Sequence, residues 1–562
     1  MSYSKTNWVD GTTDVNAINM NKIENQLESN TSDLAKKVTY FMPENYGASS
    51  TYSAGVDDTS FVQQAIDGAV AIGGEVRLTR MYYIPSGGLM VNGTLKISGV
   101  GGRLISTNQG GTFPGIAISG FRCSSATADC LTTNSAGTIL VDFAVINTFI
   151  GNPTAGTGIK MNSGHNHALS RVTVQGFFND IQVEGRFGTI DSCHFYDPVN
   201  YGMYFLNDNA GEGDFGDQGI CNCVVAMLGR KTNAISAVRW ESGGGIRWSN
   251  NKIVAGTGPG ASGIGAFNYG LDIMVADGCT TVEFMVIGGG ISSCSVAPVR
   301  IGQKGSSLLS GMYDLTFNGV VFQGSGTSAV AMLIGSADTT HADNIGNVYI
   351  GGCTFKGVPS GGIVAYNMHN LVVGTNIWQK AVYTGALVTL AGGNDTGVGT
   401  QGVNIAKQNI GSMTSVDLVR DNRKLSSWPS QSGEVDHGFT TPFYANVVGT
   451  WVTLGYFDLL ANEGGAFMID IEFSGYDYSF GAMYARYKRV ISRVGNTSGI
   501  VTVAVLGTDE VGGTGTRYAV QFVTTTNNRV IIQYQLTTSG VTVWGRAKVQ
   551  ASGQIALSHV GV

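Results

Sequence analysis

From Val91 to Ala391 the chain repeats one local theme: a short β-type run, a Gly or Asn, then a loop of variable length, with run starts about 20 to 35 residues apart. The clearest runs are Val172-Thr-Val174, Ile190-Asp-Ser-Cys-His-Phe195, Ile246-Arg-Trp-Ser-Asn-Asn-Lys-Ile253, Leu315-Thr-Phe-Asn-Gly-Val-Val-Phe322, Val348-Tyr-Ile-Gly-Gly-Cys-Thr-Phe355 and Leu371-Val-Val-Gly-Thr-Asn-Ile-Trp378. A coil of a right-handed parallel β-helix needs this order. Its apolar side chains point inward and stack coil on coil, and its corners hold residues that tolerate left-handed backbone angles. An array of sandwiches would need hairpin turns between adjacent strands, and no Asn-Gly or Asp-Gly pair recurs at regular intervals. The period therefore predicts an all-β solenoid over residues 43–400.

The composition agrees. The chain carries 82 Gly and 13% charged residues, against roughly 25% charged for an ordinary soluble domain. Its apolar fraction of 43% and net charge of −6 do not fit intrinsic disorder. Without a Lys/Arg block there is no electrostatic footprint for nucleic acid or an anionic membrane. The start Met1-Ser-Tyr-Ser-Lys-Thr-Asn-Trp8 lacks the pattern of a secretory signal, and no apolar stretch is long enough to span a bilayer. The eight cysteines lie in strand-like or loop contexts and read as reduced, buried small hydrophobes. Cys221-x-Cys223 lacks the spacing of a zinc site, and His165-Asn-His167 reads as a hydrogen-bonded or solvated turn, so neither a metal nor a cofactor is expected.

Between Asn16 and Val38, Met20, Ile23, Leu27 and Leu34 fall at heptad spacing, with Asn30 in an inward position. Such a short seam is helical only when paired with copies of itself or docked on a larger body. Further on, Ser60-x-x-Gln63 reads as a capping box, and Phe61, Ala65, Ile66, Ala69 and Val70 give a helix near 60–72 one apolar face. Gly73-Gly74 ends that helix, and Val76 and Leu78 alternate as the first strand.

The order Tyr46-Gly-Ala, Asp57-Asp-Thr-Ser60, the helix, Gly73-Gly-Glu-Val-Arg-Leu78 and Tyr82-Tyr-Ile84 resembles the opening of the pectate-lyase-like β-helix as it occurs in bacteriophage tailspikes, where a capped helix plugs the solenoid. It departs from the family at Thr79-Arg-Met81, where a Pro-Gly turn is common. The resemblance implies a homotrimeric virion tail protein, assembled in the host cytoplasm and acting outside the cell on a surface polysaccharide or teichoic acid. Trp8-Val-Asp-Gly-Thr-Thr-Asp-Val-Asn-Ala17 is similar to the virion-anchoring start of phage receptor-binding proteins. Residues 1–42 are thus expected to attach to a tail or baseplate protein.

After a connector over 401–438 the texture changes. About eight β runs in 439–562 suggest an antiparallel, jelly-roll-like sandwich, which by the same resemblance would trimerise or bind carbohydrate. Its crowded aromatics, Tyr476, Tyr478, Phe480, Tyr484 and Tyr487, read better as core and interface packing than as a sugar surface.

Cleavage of a polysaccharide by hydrolysis wants two carboxylates on one flank with aromatic faces nearby. The richest constellation runs from Asp208 to Trp248: Asp208, Glu212, Asp214 and Asp217 in a Gly-rich loop, then Arg239-Trp-Glu241 and Arg247-Trp248 one coil later. Glu241 with Asp214 or Asp217 is the expected acid/base pair, Trp240 and Trp248 are the expected sugar platforms, and Arg239 or Arg247 would grip an anionic group. Asp191 and His194, with Tyr196 and Asp197, form a second patch that could extend the same groove. Two rival functions remain: a lyase, for which Tyr204 with Arg239 could serve as base and charge neutraliser, and a non-catalytic adhesin.

Overall fold

The computed structural model describes residues 17–36, 40–99 except 52–54, most of 119–391, and the strands between 403 and 560. Three strands per turn build three faces. The first face is a parallel sheet running from Tyr40–Phe41 through Glu75–Leu78 to Met368–Val373 and Asn404–Ile405. The second runs from Met81–Tyr83 to Asn409–Ile410, and the third from Leu89–Val91 to Ser415–Asp421. Each strand pairs in parallel with its counterpart one coil away, for example Gly219–Cys221 with Gly243–Ser249. The chain is a parallel β-helix, and its coils continue past residue 400 into the expected connector.

Inward rungs explain the sequence period. On the first face Leu140, Leu169, Ile190, Ile220, Trp248 and Val286 stand in register, all buried. On the second face Phe322, Phe355 and Trp378 stack, with centroids 5.1 and 4.1 Å apart. Each such side chain removed from water contributes roughly 1.5–3 kcal/mol, so a coil is held by its neighbours rather than by itself.

The corner between the first and second faces is two residues long. Its first position is left-handed in coil after coil: Asp142, Arg171, Ser192, Asn222 and Asn250 have φ of 59°, 53°, 55°, 55° and 52°, and Gly288, Gly319 and Gly352 follow at 64°, 67° and 64°. This is why Asn and Gly recur there. Asn250 Nδ2 donates to Asn222 Oδ1 at 2.9 Å, and Asn222 Nδ2 donates to Asp191 Oδ1 at 3.0 Å, so the corners are also tied along the axis.

Helix α1 spans Ala17–Lys36, with Ile23 and Leu27 exposed at 53% and 46%. Helix α2, Thr59–Ile72, buries Val62, Ala65, Ile66 and Ala69 at the start of the solenoid. The expected capping box is not formed. Asp57 Oδ1 receives the Thr59 amide at 2.9 Å, while Gln63 is engaged by the strand Leu89–Val91, donating to Met90 O and accepting from Met90 N. The residues that depart from the family turn have their own structure: Arg80, 9% exposed, makes a two-pronged pair with Asp58 at 3.0 Å on both arms and also donates to Ser49 O and Met81 O.

Beyond the last coil the sheets are antiparallel. Asp436–Ala445, Val543–Ser552, Gly465–Asp477, Gly481–Arg493 and Val501–Val505 form one, with Glu510–Gly513 beside Gly481–Arg493. The other joins Tyr518–Thr524, Arg529–Leu536, Val452–Asp458 and Ala556–Val560 to the final coil strand Ser415–Asp421. Tyr487 is 7% exposed and packs in the core, with Arg489 over its ring at 5.6 Å; Tyr478 and Phe480 lie outside the described residues.

Candidate active site

On the third face a five-residue segment recurs in register: Asn179-Asp-Ile-Gln-Val183, Tyr201-Gly-Met-Tyr-Phe205, Ser236-Ala-Val-Arg-Trp240, Tyr269-Gly-Leu-Asp-Ile273 and Ala297-Pro-Val-Arg-Ile301. The third and fifth positions face the core and are fully buried. In the two copies with Gly at the second position the backbone crowds the second face: a Cβ on Gly202 would stand 2.4 Å from Val225 Cγ1 and 2.7 Å from Ala237 O, and one on Gly270 2.3 Å from Ile291 Cγ2. The first and fourth positions therefore line up outward, and the fourth forms a polar column of Gln182, Tyr204, Arg239, Asp272 and Arg300.

These outward groups form one network. Arg239 Nε donates to Glu241 Oε1 at 3.2 Å and its Nη1 to Asp272 Oδ2 at 2.9 Å. Arg300 donates through Nε to Asp272 Oδ1 at 2.7 Å and through Nη2 to Oδ2 at 2.8 Å, and Ser236 Oγ donates to the same Oδ2 at 2.8 Å. Lys304 Nζ donates to Glu241 Oε1 at 3.0 Å. Arg300 lies 3.7 Å over the Tyr269 ring, and Tyr201 and Tyr204 have centroids 4.9 Å apart.

Exposure sorts the cluster into a floor and a rim. The side chains of Asp272, Glu241 and Arg239 are 0%, 2% and 7% exposed, whereas Arg300 is 23% and Lys304 52% exposed, with Tyr201, Tyr204 and Tyr269 half-buried. Burial first, and then the nearby Glu241 carboxylate, hold Tyr204 well above the ordinary phenol range. Tyr201 is pushed up by burial, against the pull of Arg239. Burial works against the Arg239 charge, but Asp272, Tyr201 and Glu241 together keep its value above the ordinary one.

The structure brings together Tyr204, Arg239 and Glu241 from the sequence reading, and separates the others. Trp240 and Trp248 are not sugar platforms: at 0% and 1% exposed they are rungs of the core, Trp240 4.3 Å from the Phe205 ring and 5.5 Å from that of Phe284. Alternation puts them inside because their neighbours Arg239 and Arg247 point out. Arg247 is exposed on the first face, a different flank. Asp217 is exposed in a left-handed turn, its amide bonded to Gly244 O at 2.9 Å, and among the described residues no hydrogen bond or ion pair joins it to Glu241. Asp208, Glu212 and Asp214 lie outside the described residues.

Asp191 ends a first-face strand, and His194 sits on the second face, 4% exposed and stacked on Tyr196 at 5.6 Å, so this patch does not extend the cluster on the third face. Hydrogen bonds from Asn222 and Cys221 hold the Asp191 carboxyl below its usual range, with Arg171 adding to the effect. Among the described residues no group of three or more His, Cys, Asp or Glu side chains is arranged to hold a metal.

Asp272, Arg300, Lys304, Ser236, Tyr201 and Tyr269 were not singled out from the sequence. The signal was present as the repeated apolar-x-apolar core of the segment, but the intervals between copies are uneven, and only the pairing register aligns them.

Fold and site define a parallel β-helix protein with buried ion pairs among half-buried tyrosines on one flank. No protein-family model matches the chain, and no curated protein matches it in sequence. Similar solved structures include the tailspike of Escherichia coli bacteriophage HK620 in complex with a pentasaccharide, at 11% identity and TM-score 0.44, covering 92% of this chain and 94% of that one. They also include the tailspike of Acinetobacter baumannii bacteriophage Fri1, a capsular polysaccharide depolymerase, at 11% identity and TM-score 0.38, covering 92% and 88%. The β-helix assignment rests on this chain's own strand pairing.

Proposed function

We propose that this chain is a phage tailspike that binds a host cell-surface polymer, whether capsular polysaccharide, exopolysaccharide or teichoic acid, and cleaves it by carboxylate-assisted hydrolysis in the groove on the third face. The observation that carries the reading is the alignment of Tyr204, Arg239, Asp272 and Arg300 on successive coils beside Glu241, which lines up polar groups along an open flank suited to an extended chain. Charged side chains buried at outward positions cost solvation unless paired, and here they are paired with one another, so the floor is preorganised before substrate arrives. Glu241, whose Oε1 accepts from Arg239 and from Lys304 at the rim, is the proposed base. In this reading the first residues attach to the tail, and the exposed Ile23 and Leu27 on α1 are the seam of a homotrimer.

The test is incubation of the full-length protein with purified host envelope glycans, followed by reducing-end assay and mass spectrometry of the products. Saturated oligosaccharides with new reducing ends are expected. Unsaturated products would move the reading to a lyase, and binding without any shortening of the polymer would reduce it to an adhesin.

A further inference from the structure

The two arginines expected from the sequence to hold an anionic group are badly placed for it. Arg247 lies on the first face, and Arg239 is 7% exposed, its guanidinium shared between Glu241 and Asp272. The charges around Arg239 are nevertheless sorted by depth. Both carboxylates lie inside, Asp272 at 0% and Glu241 at 2% exposed, and the other two cations lie outside, Arg300 at 23% and Lys304 at 52%.

Arg300 is fixed in place. Its Nε and Nη2 bond to Asp272 at 2.7 and 2.8 Å, and its guanidinium lies 3.7 Å over the Tyr269 ring. Its Nη1, across the guanidinium from that fork, has no partner among the described residues, so hydrogen-bonding capacity is left on the side away from Asp272. Lys304 gives one N–H of its ammonium to Glu241 Oε1 at 3.0 Å and keeps the others. For the fold these two cations add little. Without them Asp272 still accepts from Arg239 and Ser236, and Glu241 from Arg239, and a half-exposed ion pair contributes little to stability.

We propose that Arg300 and Lys304 seat an anionic group repeated along the bound polymer, a carboxylate or a phosphate, with Arg300 the fixed contact and Lys304 the mobile one. The proposal rests on the reading of this face as the polymer site and names its substrate class. A planar guanidinium already held by a fork and a ring loses little freedom on meeting an oxyanion, and its donors match one in geometry. Asp272 and Glu241 act through these cations, holding them in position before the polymer arrives.

The experiment uses the full-length protein and purified host polymer, native and carboxyl-reduced, with K304Q and R300Q beside the unsubstituted chain and Tm recorded for each. Because R300Q also strips a partner from buried Asp272, the half-exposed K304Q is the deciding variant. Expected for K304Q is binding of the native polymer weakened by about tenfold at unchanged Tm. If the group is a carboxylate, carboxyl reduction weakens binding by the unsubstituted chain to a similar degree, and K304Q no longer differs from it on the reduced polymer. If it is a phosphate, carboxyl reduction changes nothing, and the phosphorus NMR signal of the polymer shifts on adding the unsubstituted chain but much less with K304Q. A polymer that is bound and cleaved yet holds neither group, K304Q within twofold of the unsubstituted chain on native polymer, or a response to neither probe overturns the proposal and leaves the depolymerase reading standing. No binding or cleavage of any host polymer by the unsubstituted chain overturns both.

Discussion

Asp272 is the side chain on which the third-face network depends. It accepts from two arginines and a serine while fully buried, and a buried charge that loses its partner costs about 3–5 kcal/mol. Asp272→Asn should therefore lower stability by about that amount in denaturant unfolding and abolish cleavage, because Arg239 and Arg300 would face each other with no full negative charge between them. Trp240→Ala should cost a similar 3–5 kcal/mol by opening a cavity in the core; were Trp240 a sugar platform, the loss would fall on polymer binding and spare Tm. Asp191 gives a residue-scale pH effect. Its carboxyl is lowered in the folded state, so its contribution is fully present above the unfolded value of roughly 3.9 and is lost as pH falls through the folded one. Asn222→Ala removes the largest cause, and an NMR titration of the carboxyl should show the midpoint moving up.

At the scale of the strand and its corner, the Tyr201–Phe205 segment depends on the glycine at its second position. A side chain on Gly202 meets Val225 and the Ala237 carbonyl, and the latter cannot rotate away. Gly202→Ala is expected to cost about 1–3 kcal/mol by overpacking and to displace Tyr204 outward, so activity should fall further than thermal stability alone predicts. The sequence did make the corners legible, since a position held left-handed favours Gly and Asn and leaves a visible mark. Arg171 and Ser192 hold the same left-handed position without that preference. The capping box failed for a reason at this scale too: Gln63 finds strand backbone partners at Met90 that no isolated helix offers.

Over the whole molecule the problem is the two open ends of a stack, each an unpaired sheet edge. Helix α2 covers the first, buried through Val62, Ala65, Ile66 and Ala69. At the other, Ala556–Val560 pairs antiparallel with Ser415–Asp421 and passes the sheet on to Val452–Asp458. Deleting residues 556–562 should expose that edge and produce aggregation, seen as rising light scattering at temperatures where the full chain stays clear. Between the ends no disulfide joins the cysteines; burial and Asp191 push the Cys221 thiol up to about 11, and burial does the same for Cys353.

The sequence alone determined the solenoid, because inward aliphatic rungs and left-handed corners are local demands that every coil must meet with its own residues. It also singled out Tyr204, Arg239 and Glu241, which the structure brings together on the third face, since unlike charges beside an aromatic in a low-charge chain stand out. Which face each residue occupies was decided by the tertiary structure. Trp240 and Trp248 went to the core and Arg247 to another flank because alternation and coil length, not proximity in the chain, set direction. Asp272 and Arg300 joined the candidate site because parallel pairing brings residues 33 and 28 positions apart to within a hydrogen bond, and Lys304 reaches Glu241 across 63 positions, separations that no local pattern records.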